Sequence, residues 1–130
     1  MPQAGTLAAL KQLFNSGRRS VAANTILTPA DIGRLILVDT GGGDVLITLP
    51  AITGSAGVNG VGEGGAIGVI VVDGANTCNI GSQGGTPDTF NGGTAFAPLA
   101  LGATNDFALF ISDGAAAAPG DWAAVLVASP

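Results

Sequence analysis

The sequence predicts an all-β protein. Residues 20–130 read as a β-sandwich or jelly-roll-like domain of about eight short strands, and residues 1–19 as a short N-terminal helical arm. Two observations predict this. Short apolar runs rich in Val, Ile and Leu recur down the chain, each bounded by Gly, Pro, Asn or Asp, which is the punctuation of a sandwich or barrel. Charged residues make up only 10% of the 130 residues while hydrophobic residues make up 47%. A helical bundle would need the Glu and Lys that solvate helix faces, in a chain carrying roughly 25% charge.

In the arm, Leu7, Leu10 and Phe14 fall at i, i+3 and i+7 with Leu13 beside them, one apolar stripe on a short helix. Thr6 suits its start and Asn15-Ser16-Gly17 its end. A helix this short is marginal in water, so its stripe needs something to pack on. Gly17-Arg18-Arg19-Ser20 reads as a polar hinge between arm and domain.

Val21–Leu27 is the first strand candidate. Thr28-Pro29-Ala30-Asp31-Ile32-Gly33 reads as a compact turn, with Pro29 presetting φ and Gly33 ending it. Arg34–Asp39 and Val45–Leu49 follow, joined by Gly41-Gly42-Gly43-Asp44, and read as a hairpin that Pro50 ends. After a glycine-rich loop over 51–65 comes Ala66–Asp73, with Ile67, Val69 and Val71 on one face. A short strand over Asn76–Ile80, a loop over 81–95 and a strand over Phe96–Leu101 come next. Asp106–Ser112 sets Phe107, Leu109 and Ile111 on one face, and Asp121–Ser129 closes the chain with Trp122, Ala124 and Leu126 on one face. The expected core is Ile47, Leu49, Val69, Val71, Phe107, Leu109 and Trp122, and Cys78 is expected to be a small buried filler.

Several of these strands are apolar on both faces, whereas a solvated antiparallel sandwich shows a polar outer face. We therefore expect a homo-oligomer whose subunits cover much of the sheet surface.

The chemical inventory excludes much. There is no His and no Tyr, Cys78 is alone, and Glu63 is the single glutamate. A Ser-His-Asp triad and a Cys/His zinc site are impossible, and no enzyme activity, cofactor or metal is expected. The aspartates lack the D-x-D-x-D spacing of a calcium loop and suit turns for their own hydrogen-bonding reasons. The four basic residues, Lys11, Arg18, Arg19 and Arg34, with Asp31, give residues 1–34 a charge of +3, and the remainder carries −8. A body without a cation is no partner for nucleic acid or an anionic membrane surface. No stretch approaches the ~18 uninterrupted apolar residues of a membrane-spanning helix.

The stretch Thr25-Ile26-Leu27-Thr28-Pro29-Ala30-Asp31-Ile32-Gly33-Arg34-Leu35-Ile36-Leu37-Val38-Asp39, followed by Val45-Leu46-Ile47-Thr48-Leu49-Pro50, resembles a small β domain that recurs in bacteriophage fibres, appendages and capsid decoration proteins. Asn91-Gly92 and Asp121-Trp122 stand where that pattern places an N-G turn and an aromatic on the final strand. The resemblance covers most of residues 20–128 and carries no catalytic residue. It implies a stand-alone decoration (cement) protein: a small homotrimer on the virion's capsid surface that binds the major capsid protein and stabilises the head. A tail-fibre or receptor-binding module that binds glycans is the alternative, and it would expect several exposed aromatics. On the decoration reading, the arm residues Leu7, Leu10, Lys11, Phe14, Arg18 and Arg19 are the expected capsid contacts. Apolar contact would supply affinity and the basic groups orientation. The competing expectation is that the helix packs within the trimer.

Overall fold

The computed structural model describes residues 17–52, 61–82, 88–92, 99–115 and 120–127. Of the arm expected over residues 1–19, residues 1–16 lie outside them. The strands are β1 (Arg18–Val21), β2 (Thr25–Ile26), β3 (Leu35–Asp39), β4 (Val45–Leu49), β5 (Ala66–Asp73), β6 (Cys78–Ser82), β7 (Thr89–Phe90), β8 (Leu99–Leu101), β9 (Phe107–Ser112) and β10 (Asp121–Val127). They form a six-stranded sheet in the order β1-β3-β5-β9-β10-β7 and a four-stranded sheet in the order β2-β4-β6-β8. The all-β reading therefore holds at the level of two sheets.

From β1 to β6 the chain changes sheet at every connection. β1, β3 and β5 lie parallel in one sheet, and β2, β4 and β6 lie parallel in the other. The chain thus winds around the core, as in a parallel β-helix. Antiparallel pairing enters only where β9 joins β5 and β10 in the larger sheet and β8 joins β6 in the smaller.

This winding corrects two expectations. The hairpin of β3 and β4 does not form, because the two strands belong to different sheets. The connection between them is a corner stacked on the corner of the next winding. The Thr40 N–H donates to the Asp73 carbonyl at 2.9 Å, and the Asn76 side-chain amide donates to the Thr40 carbonyl at 2.6 Å. Likewise the candidate strand Val21–Leu27 breaks into β1 and β2, which join different sheets. Its corner residue Asn24 accepts the Leu46 N–H at 2.8 Å, and Asp44, one winding later, accepts the Thr77 N–H at 3.0 Å. Side chains at the corners thus supply the acceptors that sheet neighbours supply elsewhere.

The core lies between the sheets. Val45, Ile47, Leu49, Cys78, Ile80 and Leu101 reach it from the smaller sheet; Ile36, Val38, Ile67, Val69, Val71, Ala108, Phe110 and Trp122 reach it from the larger. The rings of Phe90 and Phe110 meet at a tilt, with centroids 5.8 Å apart. Ile47, Leu49, Val69, Val71, Trp122 and Cys78 are buried as expected.

Phe107 and Leu109 are the exceptions. β9 turns Ala108, Phe110 and Ser112 inward, leaving Phe107 and Leu109 half-buried and Ile111 exposed on the other face. The register explains the choice: Ser112 pairs with Trp122, and Ala108 with Val69. Between them Phe110, opposite Ile67, is the large side chain of the same inward face. The Ser112 hydroxyl is also used there, donating to the Val61 carbonyl at 3.2 Å.

Candidate interaction surface

Two constellations stand out on this frame. The first is a buried carboxylate at the base of the winding. Pro29 opens a single 3-10 turn, Pro29–Asp31. Gly33 follows with φ +83, a backbone conformation that glycine adopts without a Cβ clash, and its N–H donates to the Ala66 carbonyl at 2.7 Å. The turn aims Asp31 inward, where it is 1% exposed. Its carboxylate accepts the Thr28 N–H at 3.0 Å and the Arg19 guanidinium at 2.9 and 3.1 Å, with Arg34 Nη1 3.5 Å away. The D-I-G-R stretch is thus a clamp: one carboxylate ties β1, the turn and the start of β3 together.

This places the expected partner-binding residues. Leu7, Leu10, Lys11 and Phe14 lie outside the described residues. Arg18 and Arg19 do not form a hinge, because they are the first two residues of β1, paired with Leu35 and Ile36 of β3. Arg19 turns to the core side and is engaged by Asp31. Arg18, exposed, remains on the outer side of the sheet edge.

The second constellation is the outer face of the six-stranded sheet. Strand register aligns its residues in rows. Leu35, Gly68, Leu109 and Val125 form one; Leu37, Ile70, Phe107 and Val127 form the next; Ala66, Ile111 and Ala123 form a third. No charged side chain stands in these rows. Val125 and Val127 are 54% and 53% exposed. Charge appears only at the borders: Arg18 on the β1 edge, paired with Leu35, Asp39 and Asp73 where β3 and β5 end, and Asp121 where β10 begins. Among the described residues, strand pairing on the β7 side of β10 is short. β7 pairs only with Asp121 and Trp122, and the Asn91 side chain takes the place of a strand at Ala124, accepting its N–H at 2.8 Å and donating to its carbonyl at 3.0 Å. The outer face of the four-stranded sheet differs, since polar and small residues interrupt it: Ile26 aligns with Thr48 and Gly81, and Leu46 with Asn79 and Ala100.

Other aspartates serve turns. Asp39, Asp73 and Asp113 each accept the N–H two residues on, and Asp106 accepts those of Gly102 and Ala103. Asp88, buried, accepts the N–H groups of Ile52 and Gly120 at 2.8 and 2.9 Å and so joins three connections. Burial pushes the Cys78 thiol up to about 11, far from the range of a reactive thiolate.

Sequence reasoning anticipated strands with two apolar faces but did not find this particular face. Its signal was present in β9, whose outward set Phe107, Leu109 and Ile111 is bulkier than the inward set around Ala108 and Ser112. No protein-family model matches the chain, and no curated protein matches it.

Proposed function

We propose that the protein is a structural component of a bacteriophage virion: a capsid decoration protein that binds the major capsid protein as a homotrimer on the head surface and stabilises the shell. The fold in this reading is a two-sheet domain with a wound parallel half and an antiparallel closing half, completed by the helical arm of the sequence reading. The observation that carries the proposal is the uncharged apolar outer face, several strands wide, on a domain whose acidic residues stand at strand ends and in the connections. Apolar patches of that extent mark surfaces that other molecules cover. The T-P-A-D-I-G-R-L-I stretch, which resembles the small β domain of phage appendages and decoration proteins, sets the direction of the reading. A ligand that binds only the assembled shell stabilises it by mass action.

The test is to image phage particles with the labelled protein and to measure its binding to naked capsids. The expected result is label over the head, with capsids that withstand higher temperature when it is bound. Label confined to the tail would replace this reading with a fibre or receptor-binding role. The arm is tested in the same assay with a chain starting at Gly17, which keeps β1 and its Arg19–Asp31 pair whole. Loss of capsid binding by that chain would assign attachment to the arm.

A further inference from the structure

We propose that Asn91 is a site of spontaneous deamidation that the fold holds shut: its side-chain amide is lost as ammonia only when its contact with Ala124 opens, and the aspartate left behind does not restore that contact. The proposal stands on the fold alone and is independent of the decoration reading above.

The dipeptide carries the reactivity. Asn-Gly stands at 59–60 and at 91–92, and Asn91 and Gly92 are both exposed. Their φ values of +53 and +68 suit the central pair of a type I′ turn. Glycine has no Cβ to keep its nitrogen away from the side chain before it. When that nitrogen attacks Asn91 Cγ, an N–Cγ bond forms and the Cγ–Nδ2 bond breaks. Nδ2 departs as ammonia, taking the proton that the Gly92 nitrogen gives up. Water then adds to one carbonyl of the cyclic imide and opens it. One opening leaves aspartate, and the other leaves isoaspartate, with the main chain running through Cγ. Water is the only co-reactant, and an exposed turn supplies it.

The structure opposes each requirement of the attack. Cγ must rotate towards the Gly92 nitrogen, but the amide is held at both ends. Oδ1 accepts the Ala124 N–H at 2.8 Å, and Nδ2 donates to the Ala124 carbonyl at 3.0 Å. The Gly92 nitrogen must shed its proton, but its N–H donates to Asp121 Oδ1 at 2.7 Å. Asp121 is itself fixed by the Thr89 hydroxyl. The Asn91 N–H donates to the Trp122 carbonyl at 2.9 Å, which pins the turn to β10. The reaction therefore waits for the two amide contacts and the Gly92 contact to break, each a net factor of about 2–10 in the opening equilibrium.

The product does not close the contact again. An amide offers Ala124 a donor and an acceptor side by side, whereas a carboxylate has acceptors alone. After conversion the Ala124 carbonyl has lost its donor. A new negative charge also stands beside the Asp121 carboxylate, and like charges repel. Each conversion is thus a one-way loosening of the edge where β7 meets β10.

The test incubates the full chain in mildly alkaline buffer, folded and in urea, and follows aspartate and isoaspartate at position 91 by mass spectrometry of chymotryptic peptides. The folded chain is expected to convert at least about 10-fold more slowly than the unfolded one. Equal or faster conversion in the folded chain overturns the proposal. Asp121→Ala frees the Gly92 N–H and is expected to raise the folded rate towards the unfolded one while leaving the unfolded rate unchanged. A folded rate that falls in Asp121→Ala would make Asp121 the base that draws the proton, and that also overturns the proposal. Asn91→Asp reproduces the main product without waiting for it. Its Tm is expected to lie roughly 3–6 °C below wild type by circular dichroism, and an unchanged or higher Tm refutes the loosening. Should either variant misfold, the comparison of folded and unfolded wild type still decides the matter.

Discussion

Asp31→Ala tests the physical reading of the D-I-G-R stretch. The substitution leaves the Thr28 N–H without its acceptor and releases the Arg19 guanidinium from both carboxylate oxygens. A fully buried pair broken on one side costs about 3–5 kcal/mol. Here the two arginine side chains are 38% and 39% exposed, so they recover water once released and that part of the cost falls. What remains is one unmet backbone donor, about 1–3 kcal/mol, and the loss of a charge-assisted pair that anchored β1. We expect a net cost of about 2–3 kcal/mol, which for a chain of this size lowers Tm by roughly 6–12 °C. Arg34→Ala, removing the 3.5 Å contact, should cost under about 1 kcal/mol, and Arg19→Ala should fall between the two. Thermal unfolding followed by circular dichroism measures all three. A Tm for Asp31→Ala within 2 °C of wild type, or a larger loss from Arg34→Ala than from Asp31→Ala, would refute the clamp.

Two further predictions concern the core. Trp122, fully buried, has no acceptor for its Nε1 proton among the described residues; Trp122→Ala should cost roughly 3–5 kcal/mol, while Trp122→Phe, which removes the unmet donor with the lost volume, should cost well under half of that, both read from denaturant midpoints. An unchanged midpoint for Trp122→Ala would place the indole at the surface. Cys78, with its folded pKa raised from about 9 to about 11, keeps its proton when the unfolded thiol has lost its own. Its contribution is therefore complete below pH 9 and is lost as pH climbs towards 11, by about 2–3 kcal/mol in total. Unfolding between pH 8 and 11 should show a steeper loss for wild type than for Cys78→Ala, and the native thiol should stay unlabelled by iodoacetamide at pH 8. Equal slopes and rapid labelling would contradict its burial.

Local chemistry was legible where a residue's own neighbours decide its geometry. Pro29 and Gly33 mark the turn because one presets φ and the other accepts a positive φ. Ile67, Val69 and Val71 declare the inner face of β5 because alternate residues of a strand share a face. Glycine and aspartate at the corners identify where strands stop, and the lack of His and Tyr limits the chemistry whatever the fold. Pairing was not legible. A corner and a hairpin turn use the same residues, so only the other windings decided that β3 and β4 part into different sheets. The inner face of β9 was hidden for a related reason. With apolar residues on both faces, alternation gives no sign, and the choice fell to the register that sets Ser112, Phe110 and Ala108 opposite the inward-facing Trp122, Ile67 and Val69. Arg19 and Asp31 stand twelve positions apart, and nothing local joins them. They meet because parallel pairing sets β1 beside β3 and the 3-10 turn carries Asp31 under that edge, a juxtaposition that exists only once the chain has wound round its core.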